Sequence, residues 1–381
     1  MKILMVSMFS LHFIRWAEQL NDSGHEVHWI DVFDSNTPVK EIDFIHQIVG
    51  WKRRVNYPGR YWIKNKLPGI NEIFSYVNER ELSKFVDQKI KEVNPDIVHS
   101  FILQSATIPI LKVMKYYPNI KWVYSAWGND LYYRQQNKRD LEDIKRTLPA
   151  LDYMFADCTR DYYLARQLGF KGKYLGTFPT GGGYSLESFL PYVKKFDAKN
   201  ILVIKGYQGK LGRCDKVLEA LLKIKEVVKG INIVLFAVTD EVKQYAHTVG
   251  LTGWDNFEIK PFITHKEVLE LMGSAKIYIG NSISDGLPNT LLEAIIMEVF
   301  PIQSNPGGAT SELIADGKNG LLIEEPEDPN HIASLIKRAL ADEGMMRKAI
   351  AHNNENIRPF LDRNLVKMEV EKQYEHIAES L

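Results

Sequence analysis

Two acidic residues, Asp285 and Glu293, lie eight positions apart in the run Asn281-Ser282-Ile283-Ser284-Asp285-Gly286-Leu287-Pro288-Asn289-Thr290-Leu291-Leu292-Glu293. The first stands where an apolar strand over 275–280 gives way to a loop, and the second stands inside the helix expected next. Gly286 lets the backbone come close to a ligand, and Pro288 at a helix start forfeits no hydrogen bond. The N–H groups of Asn289, Thr290 and Leu291 would then form an anion site at the positive end of the helix dipole. One carboxylate before that site and one behind it suit a ligand with a charged middle and hydroxyls at both ends, as in a nucleotide sugar. A plain surface loop entering an amphipathic helix would show the same two acids.

The surrounding residues narrow that choice. With Ser282, Gly286, Pro288 and Leu291-Leu292-Glu293-Ala294, the segment resembles the E-x7-E signature of retaining glycosyltransferases of the two-domain GT-B type, in the large family four group. By that resemblance Asp285 contacts the donor sugar, with Asp where the family usually has Glu, and Glu293 binds the ribose hydroxyls. Ser282, Gly286, Leu287, Pro288, Asn289 and Thr290 become donor-binding positions. A diphosphate leaving group must be stabilised as its bond to the anomeric carbon breaks, and fixed cations do this. The family carries an Arg and a Lys for the purpose in a loop that here holds Lys205 and, at a different spacing, Arg213, with Lys210 as a third candidate. Gly307-Gly308 resembles the glycine pair lining the phosphate pocket, and Glu312 beyond it is also suited to capping a helix. Ile263, beside Phe262, stands where relatives hold the base with backbone atoms. The chain shows no Asp-x-Asp motif and no His/Cys cluster in sequence, so neither a metal nor another cofactor is expected.

The acceptor side of the resemblance falls in the first half. Ser10-Leu11-His12 leaves the first expected strand, where relatives place small residues near acceptor and phosphates; His12 is a candidate ligand or a structural histidine. Trp127-Gly128-Asn129-Asp130 resembles a His-Gly-x-Asp stretch whose histidine lies beside the reacting sugar. Trp127 cannot act as acid or base but can stack on a sugar face. Asp130 then becomes the polar group expected near the acceptor, and a retaining reaction in which the departing phosphate takes the acceptor proton stays open. His99, at a strand end, reads as a core residue.

Loops at strand ends need sheets to hold them. Strand patterns are expected at 3–8, 26–32, 97–101, 122–126, 153–156 and 174–175, alternating with helical spacing, and again at 201–204, 231–237, 257–259, 277–280, 300–303 and 321–323. Such alternation implies parallel sheets with helices on both faces. Thr264-His265-Lys266-Glu267 reads as a capping box, and Asp328-Pro329 as an N-cap followed by proline. The expectation is an α/β protein of two Rossmann-like, doubly wound domains, 1–185 for the acceptor and 199–358 for the nucleotide sugar, facing a central cleft. A last helix over 364–381 should cross back onto the first domain, as the resemblance implies.

Bulk composition fits that reading. The 381 residues suffice for two cores, the 45% apolar and 25% charged content is ordinary, and the formal net charge is zero, which argues against nucleic acid as a partner. Cys158 and Cys214 form no framework or metal spacing, and the first apolar run is too short for a secretion signal, so a cytoplasmic location is expected. Residues 51–66 hold Lys52, Arg53, Arg54, Arg60, Lys64 and Lys66 among Trp51, Tyr57, Tyr61 and Trp62 without an acid. Such a strip suits an anionic membrane surface or a lipid-linked sugar acceptor, or is a solvated loop with its aromatics folded back. The resemblance therefore implies a retaining, metal-independent hexosyl transfer from a nucleotide-diphosphate sugar to a glycan or lipid-linked acceptor, in bacterial surface polysaccharide assembly. A non-catalytic subunit that binds sugar nucleotides, kept open by Trp127, and a sugar-nucleotide epimerase are the alternatives.

Overall fold

The computed structural model describes residues 1–55, 62, 63, 66, 67, 69 and 75–381. The chain forms two compact units. The first comprises Met1–Ala156, Asp161–Gly182 and Lys367–Leu381; the second comprises Asp157–Arg160 and Gly183–Val366.

The first unit is built on a seven-stranded sheet in the order β3-β2-β1-β4-β5-β6-β7. Its strands are β1 (Lys2–Ser7), β2 (Glu26–Asp31), β3 (His46–Ile48), β4 (Ile97–Phe101), β5 (Lys121–Ala126), β6 (Tyr153–Ala156) and β7 (Lys173–Thr177), all paired in parallel. Six of these stand where the hydrophobic pattern puts them. The unexpected one is β3, a half-polar trio at the sheet edge, too short to show a period. Side chains alternate between the two faces. Leu4, Val6 and Val98 join a mixed apolar layer with Val86, Ile110 and Ile144, whereas His99, Phe101 and Phe155 turn to an aromatic layer with Phe13 and Trp16.

That aromatic layer is closed by the last helix, Arg363–Glu379, whose Val370, Tyr374 and Ile377 are fully buried. The Tyr374 hydroxyl accepts a hydrogen bond from Trp16 Nε1 at 3.3 Å and meets His99 Nδ1 at 2.7 Å; His99 Nε2 meets Ser125 Oγ at 2.9 Å. Burial pushes the His99 pKa well below its ordinary value, so the ring is a neutral core group.

The second unit repeats the scheme with a six-stranded parallel sheet, order β10-β9-β8-β11-β12-β13. Its strands are β8 (Ile201–Lys205), β9 (Asn232–Phe236), β10 (Phe257–Lys260), β11 (Ala275–Gly280), β12 (Phe300–Ser304) and β13 (Leu321–Ile323). Leu202, Ile204, Ile277 and Ile279 face one helical layer, and Val203 and Tyr278 face the other. Both expected caps are present: Thr264 and Glu267 exchange the two bonds of a capping box, and Asp328 accepts from Asn330 N ahead of the helix Pro329–Ala341.

Both strand orders reverse once. The chain lays β2 and β3 on one side of β1 and then returns to place β4 on the other; β8 is flanked by β9 and β11 in the same way. A parallel sheet opens a crevice at such a switch point, beyond the carboxyl ends of the strands. The loops after β1 and β4, and those after β8 and β11, therefore stand at these crevices.

Candidate functional site

In the second unit the two switch-point loops are laced together. Arg213 N donates to Asn281 O at 3.0 Å, Ile283 N donates to Leu211 O at 2.9 Å, and Gly212 bridges Ser282. Gly212 must lack a side chain, because a Cβ there would stand 2.3 Å from the Tyr207 carbonyl oxygen. Ser282 N is anchored from below by Ser304 Oγ at 2.9 Å, at the end of β12. The loop bearing Lys205 and Arg213 is thus fixed against the one leading to Asp285.

Tyr278 stands at the centre of this arrangement. Its buried hydroxyl lies 2.9 Å from Thr290 Oγ1 and donates to Gln303 Oε1 at 3.3 Å. Burial pushes its pKa above the ordinary phenol value, the Thr290 bond pulls back, and the carboxylates of Asp285 and Glu293 both push up again. Thr290 lies in the same helix as Glu293, so this hydroxyl ties β11 to the helix that carries the second acid. Burial raises the pKa of the Tyr207 hydroxyl in the β8 loop, and the Asp285 carboxylate adds to the rise. No local sequence pattern marks Tyr278 as part of the site.

Glu293 lies in the helix Asn289–Ile296 and is 6% exposed. Its Oε1 is 2.8 Å from Nε2 of His265, the residue inside the capping box. The box signalled a helix start, and nothing in the sequence signalled that its second residue faces Glu293. Asp285 is half-buried and accepts from Gly286 N at 2.9 Å, while its backbone carbonyl takes a 2.8 Å bond from Arg160 Nη1. Arg160 also binds Pro306 O at 2.7 Å and so ties the Asp285 loop to the Gly307–Gly308 turn; it too escaped the sequence reading. Both glycines adopt left-handed backbone, φ 62° and 84°, where a side chain would be strained. The Glu312 carboxylate is engaged by the backbone N–H groups of Thr159 and Arg160, both at 2.6 Å.

Three expectations change in detail. The Leu291 N–H, placed in the anion site by its position, donates instead to Pro288 O at 2.9 Å, because the helix opens with a tight first turn. Gly286 makes its close approach to protein: a Cβ there would stand 2.1 Å from Asp157 Oδ2. The Arg213 guanidinium is engaged by Glu327 and by Gly212 O. Lys205 Nζ lies 5.5 Å over the Tyr207 ring, and Ile263 packs partly against the helical layer beside fully exposed Phe262.

In the first unit Ser10 is a helix cap, its Oγ accepting from Phe13 N at 3.1 Å. His12 is exposed and meets Trp127 edge-on at 6.4 Å between ring centres. Trp127 itself is 7% exposed, packed on Phe101 at 4.9 Å and Trp16 at 6.2 Å, so most of its face is occupied by protein. Gly128 after it has φ 65°.

Asp130, expected near an acceptor, is instead turned inward. It is 3% exposed, and its Oδ2 accepts from Leu103 N at 3.0 Å and from the Tyr124 hydroxyl at 2.6 Å. Leu103 follows Ile102, a β-branched residue held at φ 69°, a strained backbone position. The carboxyl fixes the loop after β4. Burial raises its pKa from 3.8 to about 7; Tyr124 and Leu103 oppose the rise and Asp161 adds to it.

The basic strip is only partly visible: residues 56–61, 64 and 65 lie outside the described residues. Of the rest, Trp51 is buried, stacked on Phe85 at 4.5 Å with its Nε1 on Asp31 O, Lys52 pairs with Glu79 at 3.3 Å, and Trp62 is 61% exposed. No helix among the described residues is long and apolar enough to cross a membrane.

Comparison with known proteins matches both halves. The family described as "Glycosyl transferases group 1" matches residues 191–356, and "Glycosyl transferase 4-like" matches residues 2–160. Spore coat protein SA of Bacillus subtilis (strain 168) is 22% identical over 296 residues, 73% of this chain and 77% of that protein. Among solved structures, sucrose-phosphate synthase from Thermosynechococcus elongatus is similar with a TM-score of 0.74 at 17% identity, covering 100% of both chains. Anabaena Alr3699/HepE in complex with UDP-glucose is similar with a TM-score of 0.68 at 14% identity, again over 100% of both.

Proposed function

We propose that this chain, which belongs to the glycosyl transferases group 1 family and has its two-domain GT-B fold, moves a sugar from a nucleotide-diphosphate sugar to an acceptor hydroxyl with retention of configuration. The observation that carries the reading is the placement of Asp285 on the loop after β11 and of Glu293 on the helix it enters, at the switch point of the second sheet and laced to the loop of Lys205 and Arg213. One carboxylate on the loop and another on the helix behind it can take hydroxyls at both ends of a ligand whose middle is anionic.

In this reading Glu293, steadied by His265, accepts hydrogen bonds from the ribose, and Asp285 accepts from the donor sugar. Ser282, Leu287, Asn289 and Thr290 line the path between them, the Gly307–Gly308 turn lies against the diphosphate, and Ile263 meets the base. Lys205 and Arg213 neutralise the charge that grows on the diphosphate as the anomeric bond breaks, Arg213 by exchanging Glu327 for a phosphate oxygen. The departing phosphate oxygen takes the acceptor proton, so no side-chain base is required on the acceptor side. His12 with the edge of Trp127 and Gly128 meets the acceptor, while Asp130 and Ser10 hold the loops that present them. The UDP-glucose complex of Alr3699/HepE supports a nucleotide-sugar donor, and the likeness to a spore coat protein is in keeping with a product at a bacterial surface.

Thermal unfolding against UDP, GDP, ADP, CMP and dTDP sugars tests the donor site. A ligand at a hundred times its Kd stabilises by about 2.7 kcal/mol, a shift of several degrees. One nucleotide family should raise the midpoint, Glu293→Ala should abolish that shift, and Asp285→Ala should keep it while losing transfer. Full turnover in Asp285→Ala would refute the assignment, and binding without turnover in the unsubstituted chain would favour a non-catalytic subunit.

A further inference from the structure

At the opposite end of the first sheet from its switch-point loops, parallel pairing assembles three metal-binding side chains from distant parts of the chain. Glu26 opens β2, His28 follows on the same face, and His46 opens β3 as the register partner of His28. The two imidazoles stack with ring centres 4.5 Å apart and planes 23° from parallel, and Glu26 Oε1 lies 2.9 Å from His28 Nε2. One ligand atom from each residue lies within 4.8 Å of the other two.

We propose that Glu26, His28 and His46 form a binding site for a divalent transition metal of the zinc class, clipping the edge strand β3 to β2. Ligands about 2.0–2.2 Å from a tetrahedral zinc sit roughly 3.4 Å apart, so the cluster needs only a small contraction. Glu26 and His46 are exposed and supply it by side-chain rotation, and the ion enters from solvent without unfolding the sheet. Two imidazoles and one carboxylate select zinc, nickel or copper(II) over magnesium and calcium, which prefer all-oxygen shells. Lys2 Nζ approaches Glu26 at Oε2, 3.7 Å away, and leaves Oε1 on the histidine side. A water completes the fourth position. The site serves strand pairing: β3 has three residues, carries the sheet edge, and leads directly to Trp51 in the core.

Zinc chloride titrated calorimetrically into the protein without an added histidine tag tests this. The expected result is one zinc per chain and a higher unfolding midpoint for the first unit. His46→Ala, at an exposed position that leaves the core intact, should weaken binding at least tenfold, as should Glu26→Gln, with circular dichroism unchanged. Cobalt(II) in place of zinc should show the strong visible bands of a four-coordinate site, absent in His46→Ala. No binding at a tenfold molar excess of zinc, or binding unaltered in both variants, overturns the proposal.

Discussion

The buried carboxyl of Asp130 gives the first unit a pH dependence that one substitution should remove. With its pKa lifted from 3.8 to about 7 by burial, the folded chain keeps this proton over a range in which the unfolded chain has released it. Stability rises with pH only where the unfolded state binds more protons, so here it falls. The cost is absent below pH 4, grows between pH 4 and 7, and is complete above 7. At about 1.36 kcal/mol per pH unit the full effect approaches about 4 kcal/mol. Asp130→Asn has the same shape, still offers an oxygen to Leu103 N and the Tyr124 hydroxyl, and never ionises. Urea unfolding of both proteins at pH 4.5, 6 and 8 cancels the titration of every other group in the difference. Six of the seven tryptophans, at positions 16, 29, 51, 62, 122 and 127, belong to the first unit, so fluorescence reports the relevant transition. The variant should gain on the parent by several kcal/mol from pH 4.5 to 8. A constant difference, or a parent that gains as pH rises, would show that Asp130 is held ionised by its two donors and would refute the argument.

Two further substitutions separate the units. Gly212→Ala places a Cβ 2.3 Å from a backbone oxygen that cannot swing away, so it should cost at least about 2 kcal/mol and spread the laced loops, lowering nucleotide affinity; Gly253→Ala, with nothing within 4 Å, is the control and should change neither. Tyr374→Phe removes the hydroxyl shared by Trp16 and His99 and should destabilise the first unit by about 1–2 kcal/mol in tryptophan-detected unfolding. Nucleotide-induced stabilisation of the second unit should persist in Tyr374→Phe, and its loss would place part of the donor site in the first unit.

Features that depend on near neighbours are legible in the chain's local pattern. Twelve of the thirteen strands among the described residues show as apolar runs because both faces of a parallel sheet are buried, and the caps at Thr264 and Asp328 show because their partners lie within three residues. The acids Asp285 and Glu293 and their glycine-proline turn were legible for the same reason. Whatever register and burial carry appears only once the chain has folded. Strand order brought Tyr278 to Gln303, helix packing set His265 against Glu293, and sheet pairing put His46 beside His28, eighteen residues earlier. Nothing in Trp-Gly-Asn-Asp shows that its aspartate points inward, because the Tyr124 hydroxyl and Leu103 N–H that hold it there meet it only once β4 and β5 have paired. Local spacing specifies elements and candidate side chains; which of them share a site is settled by contacts between segments that the sequence keeps apart.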